Sequence, residues 1–264
     1  MTNPSQLYRW RAVAEEAVRR GGAEIQSRFG QGGESTAKRG ADLVTAADLA
    51  TEAVILDLLR ASEPDFGVIS EEAGAENAAA EYVWLVDPLD GTNNFAIGLP
   101  YVAVAVSLLH YGSPVVAVTL DPLIGTLWSA VAGAGAWRNG EPIRVNPARP
   151  ADRAVVAFVQ GYSVPSEVGD SLRRAVEGPV KRVLTNWTPA RDWCLLACGG
   201  IDAVISLDSE VEDQLGGALI AREAGARLAD FAGNPAAPTA PRLLATASPE
   251  LEQRLLRILG AVVR

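Results

Sequence analysis

The chain has 264 residues, 48% of them hydrophobic and 21% charged, enough to bury a substantial core in one large domain or two joined halves. A formal charge of -9 and a pI near 4.8 create a field that repels polyanions and argue against nucleic acid or an acidic membrane as the main partner. No apolar run is long enough to span a bilayer, and the first residues mix Arg, Glu and Trp, so a soluble, cytoplasmic protein is expected.

Leu7, Trp10, Ala14, Ala17, Val18, Ile25 and Phe29 recur at helical spacing and predict an amphipathic helix ending near Gly30. A polar, glycine-rich loop from Gln31 to Gly40 follows, with Lys38 and Arg39 as cations able to close over a phosphate, although solvated loop charges explain them as well. Thr45-Ala46-Ala47-Asp48 has the form of a capping box, and Ala50, Val54, Ile55, Leu58 and Leu59 give the helix it opens a buried face through Arg60.

From Phe66 the pattern becomes short apolar runs bounded by Gly, Pro, Asp or Asn, which predict a sheet: Phe66 to Ile69, Tyr82 to Val86, Val102 to Leu109, Val115 to Leu120 and Leu127 to Val131. Between them Ala73 to Ala80 reads as an alanine-rich loop. The single histidine, His110, falls at a strand end and removes His-rich metal sites and leaves little room for a Ser-His-Asp triad. Asn139-Gly140 reads as a turn. Asn146 to Pro150 reads as a linker, dividing the chain into 1–145 and 146–264.

In the second half, strands are predicted at Ala154 to Val159, Ile201 to Leu207 and Leu243 to Ala247. Helices are predicted at Ser166 to Val176, Arg191 to Cys198 and Asp213 to Ala224, with a final one capped by Ser248-Pro249-Glu250 and running through Val263. Mixed α and β layers result. Cys194 and Cys198 share a helix face and read as buried thiols, and neither has an arginine six residues on to build a phosphate-cradling cysteine loop. Carboxylates and hydroxyls are left to carry any chemistry.

The densest such group is Trp84-Leu85-Val86-Asp87-Pro88-Leu89-Asp90-Gly91-Thr92. A strand is expected to end at Asp87, Pro88 to stop the ladder and Gly91 to allow a tight turn into a helix. Asp87, Asp90 and the Leu89 carbonyl would then offer hard oxygen ligands to Mg2+, with the Gly91 and Thr92 amides placed for a phosphate oxygen. A plain β-turn with a capping aspartate explains the same hexapeptide. Glu71-Glu72 at the end of another strand, and Asp213 at the start of an apolar helix, add carboxylates that the turn alone leaves unexplained. Each also has a bland reading, solvated charge for the pair and a helix-dipole acid for Asp213.

Asp87-Pro88-Leu89-Asp90-Gly91-Thr92, Glu71-Glu72 and Asp213 ahead of Arg222-Glu223-Ala224-Gly225 resemble the inositol monophosphatase family of metal-dependent phosphatases. Asp42-Leu43-Val44-Thr45-Ala46-Ala47-Asp48 and Gly135-Ala136-Trp137-Arg138-Asn139-Gly140 are similar to two further family segments, and order and spacing agree from about Ala37 to Gly233. The resemblance implies a layered αβαβα sandwich of the kind shared with fructose-1,6-bisphosphatase, a homodimer, and an active site between the halves. It implies Glu71, Asp87, the Leu89 carbonyl, Asp90 and Asp213 as ligands of two or three Mg2+ ions. Thr92 and Asp48, helped by Glu71, would orient and deprotonate the attacking water, and the Gly91 and Thr92 amides would hold the phosphate. Asp90 and Asp213 would border the substrate as well.

Departures cluster where the leaving alcohol would lie. Glu212 stands where the family typically has tryptophan, Ser206 where inositol-specific members have glutamate, and Trp187-Thr188 where Gly-Ser is typical. Substrate contacts are therefore expected from Trp187, Thr188 and Ser206, with a changed alcohol pocket for a cyclitol, sugar or amino-alcohol phosphate. Trp187 offers a stacking surface for a ring, or simply a core tryptophan. Alternatives are a 3'-phosphoadenosine 5'-phosphate nucleotidase, a histidinol-phosphate phosphatase, or a catalytically silent regulatory relative. A fructose bisphosphatase reading has no specific support.

Overall fold

The computed structural model describes residues 3–31, 35–37 and 43–262, so Lys38, Arg39, Asp42 and Val263 lie outside the described residues. The first helix, α1 (Pro4–Arg28), opens with the Asn3 side chain accepting from the Ser5 N–H and with proline in its first turn, where no N–H is needed. It buries Leu7, Trp10, Ala14, Ala17, Val18 and Ile25. The short strands β1 (Ser35–Ala37) and β2 (Leu43–Thr45) pair antiparallel and lead into α2 (Ala46–Ser62), which carries the expected capping box between Thr45 and Asp48. Its buried face is rotated from the predicted one. Asp48, Thr51 and Glu52 are buried beside Ile55 and Leu59, whereas Ala50, Val54 and Leu58 are only partly covered. Three polar side chains turned inward are a sign that this helix does more than close a core.

Eight strands form the first sheet: β3 (Gly67–Ser70), β4 (Gly74–Glu76), β5 (Tyr82–Asp90), β6 (Ala103–His110), β7 (Ser113–Asp121), β8 (Thr126–Val131), β9 (Gly135–Arg138) and β10 (Glu141–Pro142). Their order is β10-β9-β8-β7-β6-β5-β3-β4, with only the β3–β5 pair parallel. The short helix α3 (Thr92–Ala96) follows β5. The edge strands β4 and β10, and β9 next to β10, have two to four residues, too few to show an alternating pattern in sequence.

The second sheet has the order β12-β11-β13-β15-β14, formed by β11 (Val155–Gln160), β12 (Arg182–Leu184), β13 (Ala203–Leu207), β14 (Arg227–Asp230) and β15 (Arg242–Thr246). Its helices are α4 (Ser166–Glu177), α5 (Pro189–Ala197), α6 (Val211–Glu223) and α7 (Pro249–Val262).

The buried clusters give the layering. Trp10, Val18, Ile55 and Leu59 of α1 and α2 pack on Trp84, Val104, Val106 and Val118 of the first sheet. The other face of that sheet, through Ala117, Trp128 and Ala130, meets Cys194, Ala197, Leu219 and Ile220 of α5 and α6. Those helices turn Trp193, Leu196, Ala218 and Ala221 to Val204, Leu243 and Ala245 of the second sheet, which α4 and α7 cover outside with Leu172, Val176, Leu251 and Leu255. Helix pair, sheet, helix pair, sheet, helix pair is an αβαβα sandwich. The chain passes from one sheet to the other between Pro142 and Val155, around the expected linker, yet α5 and α6 are wedged between both sheets and share their cores. Both cysteines are free thiols, and Cys198 accepts from the Trp128 indole N–H at 3.0 Å.

Candidate active site

The site begins with an interruption in β5. Residues 82–87 run in register with β6, the register breaks across Pro88 and Leu89, and pairing resumes at Asp90 opposite Ala103. The strand therefore continues past Asp87, where sequence reading ends it. Proline has no N–H to give the ladder, and the Leu89 N–H turns instead to the Asp87 carboxylate at 3.1 Å. The bulge leaves both Asp87 and Asp90 on the wall of one cavity of about 1030 Å3. Gly91 then takes φ 93°, a left-handed conformation, and α3 starts at Thr92.

Carboxylate oxygens of Asp87, Asp90 and Asp213 all lie within 4.8 Å of one another. Asp213 arrives in the first turn of α6, which sits close to its neighbours because Gly216 lies against Ser107 of β6 and Gly217 against Trp193 of α5. Glu71 and the Leu89 carbonyl line the same cavity. Burial pushes the Asp87 and Asp90 carboxyls well above the usual carboxylate range, and the neighbouring charges push further: Glu71, Asp90 and Asp213 on Asp87, and Asp213, Asp192 and Glu71 on Asp90. The Asp90 carboxylate also accepts the Ala190 N–H at 2.7 Å, tying the first sheet to the start of α5.

Asp48 completes the capping box and reaches Thr92 as well. One carboxylate oxygen accepts from the Thr45 N–H at 2.8 Å and from the Thr45 hydroxyl, completing the capping box. The other faces the Thr92 hydroxyl at 3.0 Å. Thr92 Oγ1 is also 2.9 Å from the Leu89 carbonyl oxygen, and with one proton it donates to one of the two at a time. Burial raises the Asp48 carboxyl above its ordinary 3.8, against the lowering effect of the Thr45 and Thr92 hydrogen bonds.

Sequence reasoning missed Glu52. Buried on α2, it accepts from the Ser70 hydroxyl and from the backbone N–H groups of Glu72 and Ala73, both at 3.0 Å, and so holds the loop that carries Glu71. Its signal in sequence was a charge within a run of apolar residues on the buried side of a helix, which rotation of the predicted face concealed.

Asp192 was missed too. It lines the cavity and accepts from the Tyr101 hydroxyl at 2.9 Å and the Asn186 amide at 2.6 Å. Burial nevertheless pushes its carboxyl up to about 6. Below that pH the folded protein keeps a proton that the unfolded chain has already lost, so raising pH from 3.8 to about 6 removes stability, up to about 3 kcal/mol. Asp192→Asn has no such charge to bury. In metal-free denaturant titrations its stability relative to wild type should improve between acid and neutral pH; a difference that stays constant with pH would contradict a buried, raised carboxyl.

The expected alcohol-side residues separate into three fates. Trp187 lines the cavity and is 65% exposed, so it is no core tryptophan. Thr188 forms part of the wall but is fully buried, its hydroxyl donating to the Tyr101 carbonyl at 2.8 Å and accepting from the Asn94 amide at 3.0 Å; it shapes the pocket without being free to meet a substrate. Ser206 does not reach the cavity. It is fully buried in β13, and its hydroxyl donates to the Gln214 side chain at 2.6 Å. Gln214 in turn donates to the Pro238 and Ala240 carbonyls, so a polar pair fills the position that was expected to face the alcohol. Glu212 does line the cavity.

Comparison with known proteins agrees with this geometry. The model of the inositol monophosphatase family matches residues 6–264. The chain is 36% identical over 203 residues to Nus factor SuhB of Vibrio cholerae, covering 76% of each, and 32% identical to the inositol-1-monophosphatase of a Synechocystis strain, covering 98% of this chain and 91% of the relative. Among solved structures, the extragenic suppressor protein SuhB of Bartonella henselae superimposes with a TM-score of 0.87 at 28% identity, over 94% of this chain and 97% of that one. With the αβαβα layering, the bulged Asp87–Asp90 segment and a family match across nearly its whole length, the chain belongs to the inositol monophosphatase family, whose members are phosphoric monoester hydrolases.

Proposed function

We propose that the protein is a Mg2+-dependent phosphomonoesterase acting on a small phosphorylated alcohol. The observation that carries this reading is the convergence of Asp87, Asp90 and Asp213 within 4.8 Å on the wall of an open cavity. Buried carboxylates so close together repel one another, and both raised carboxyls record it. A cation relieves that repulsion. The donor set is all oxygen, which suits a hard ion such as Mg2+ rather than zinc. Asp87, Asp90, Asp213, Glu71 and the Leu89 carbonyl would hold it, and their number supports the two or three ions that the family resemblance implies. Bound there, the metal would neutralise phosphate charge and acidify water.

The chain's own residues supply the proton path. Asp48, fixed by Thr45, takes the Thr92 hydroxyl proton in a hydrogen bond, which leaves the Thr92 oxygen free to accept one from a water. As water attacks phosphorus, its proton passes to Thr92 and the Thr92 proton to Asp48; the bond to the leaving alcohol oxygen breaks, that oxygen takes a proton from solvent water in the cavity, and Asp48 returns its proton to solvent. Glu71, on the loop that Glu52 holds, borders the same space. The Gly91 and Thr92 amides at the start of α3 belong to the first turn, whose N–H groups the helix does not use, and would bind phosphate oxygens. We place the protein in the cytoplasm as a homodimer on the family resemblance; sedimentation tests the second point.

Phosphate release with Mg2+ from myo-inositol 1-phosphate, sugar phosphates, L-histidinol phosphate and 3'-phosphoadenosine 5'-phosphate tests the activity. Folded protein that releases none of these would overturn it and favour a regulatory relative, a reading that the similarity to a Nus factor keeps in view. Metal binding has its own readout. Because burial first, and the neighbouring carboxylates next, raise the Asp87 and Asp90 carboxyls, adding Mg2+ to the metal-free protein should release protons and raise Tm. No proton release and no Tm change would contradict the ligand set.

A further inference from the structure

We infer that Trp187 is a specificity-determining residue, a fixed aromatic platform selecting a phosphorylated alcohol that carries a planar, neutral or cationic ring. The inference rests on the phosphomonoesterase reading and deepens it.

The backbone at Trp187 has φ 55°, a conformation that glycine adopts freely and a bulky aromatic residue adopts rarely. Such strain survives only where the surroundings impose it. Here they do: the buried Asn94 amide donates to the Asn186 carbonyl at 2.7 Å and to Thr188 Oγ1 at 3.0 Å on either side, and Pro189 starts α5 immediately after. The main chain is thus held in a glycine-like shape, yet carries the largest side chain. That side chain is not used for packing, since 65% of it is exposed at the cavity. An exposed indole on strained backbone adds nothing to the core, so its use lies in what the cavity receives.

The cavity around it is consistent with a ring. Tyr162 lines it and is 55% exposed, giving a second aromatic surface. About 1030 Å3 is far more room than a phosphate and a small polyol fill. Its charge narrows the class. Beyond the metal cluster, Glu210 and Glu212 add negative charge, and the one cation among the described lining residues, Arg173, is paired with Glu177 at 2.6 Å and Asp170 at 3.4 Å. A ring bearing a second phosphate meets repulsion there, whereas a neutral ring can stack on the indole face and a protonated ring is attracted by both the indole face and the carboxylates.

The test compares kcat/KM for L-histidinol phosphate and for myo-inositol 1-phosphate with Mg2+, in wild type and in Trp187→Gly, Trp187→Leu and Trp187→Phe. Wild type should prefer the ring-bearing ester. Trp187→Gly and Trp187→Leu should lower the ratio about tenfold or more, mainly through KM, whereas Trp187→Phe should keep it within about threefold. Trp187→Gly should also keep or raise Tm, because glycine relieves the left-handed strain. A wild-type preference for the inositol ester, or a ratio that no variant moves, would overturn the inference. Loss of Tm in Trp187→Gly with equal loss on both esters would overturn it too, by making the residue structural. If wild type cleaves neither ester nor any other phosphate tested, it is the phosphatase reading that has failed; cleavage of the inositol ester with an unmoved ratio sinks only the platform.

Discussion

Asp90→Asn should reduce kcat by at least about a thousandfold at saturating Mg2+, yet leave the metal-free protein as stable as wild type or more so. The first half follows from removing one of three converging carboxylates, a change of several kcal/mol in charge stabilisation where each 1.4 kcal/mol is tenfold in rate. The second half follows from burial. Asp90 is only 5% exposed, so it is not a group on an open surface, and its carboxyl is raised by desolvation first and by Asp213 next. An amide of the same shape still accepts the Ala190 N–H and carries no charge to repel its neighbours. The variant should also lose most of the Tm increase that Mg2+ gives the wild type. Wild-type turnover in the folded variant at saturating Mg2+ would remove Asp90 from the ligand set.

Gly91→Ala should be destabilising by about 3 kcal/mol or more and should depress activity beyond what lost folding explains. Alanine at φ 93° is strained by itself. Its Cβ would also collide with the Thr188 hydroxyl, approach the Tyr101 carbonyl oxygen to 3.0 Å and the Trp187 carbonyl oxygen to 3.3 Å. Neither side can give way easily. Thr188 is buried and hydrogen-bonded on both sides, and the two carbonyls belong to backbone held by Asn94. Relief would come by shifting α3, and Thr92 with it, away from Asp48. Denaturant unfolding and kcat of the fraction that folds check both parts; an unchanged midpoint would mean that the contact between the halves is looser than it stands.

These two residues show how differently the site was legible. Asp87, Asp90, Gly91 and Thr92 lie together in the chain, next to a proline that stops a ladder, so local chemistry suggested a joint role while a plain β-turn explained the same residues. Glu71, Asp48 and Asp213 each sit at an element boundary and each also had a bland reading there; it was the family resemblance that joined them to the group. Long elements with a clear period, α1 and α7 above all, were likewise readable. The short edge strands β4, β12 and β14 were not, since three or four residues carry no period and pair only because a longer neighbour is already in place.

What the amino-acid sequence determined by itself is the local chemistry: which groups can bind a cation, where a ladder must be interrupted, where helices begin. Tertiary structure decided which side chains face which space, because a rotation of one residue along a helix or strand exchanges core for cavity. Glu52 and Asp192 turned inward to hold the site, and Ser206 turned into a buried pair with Gln214. Trp187, a single large residue in a short connection, was placed on the cavity by hydrogen bonds from the Asn94 side chain, more than ninety residues away, to its neighbours Asn186 and Thr188.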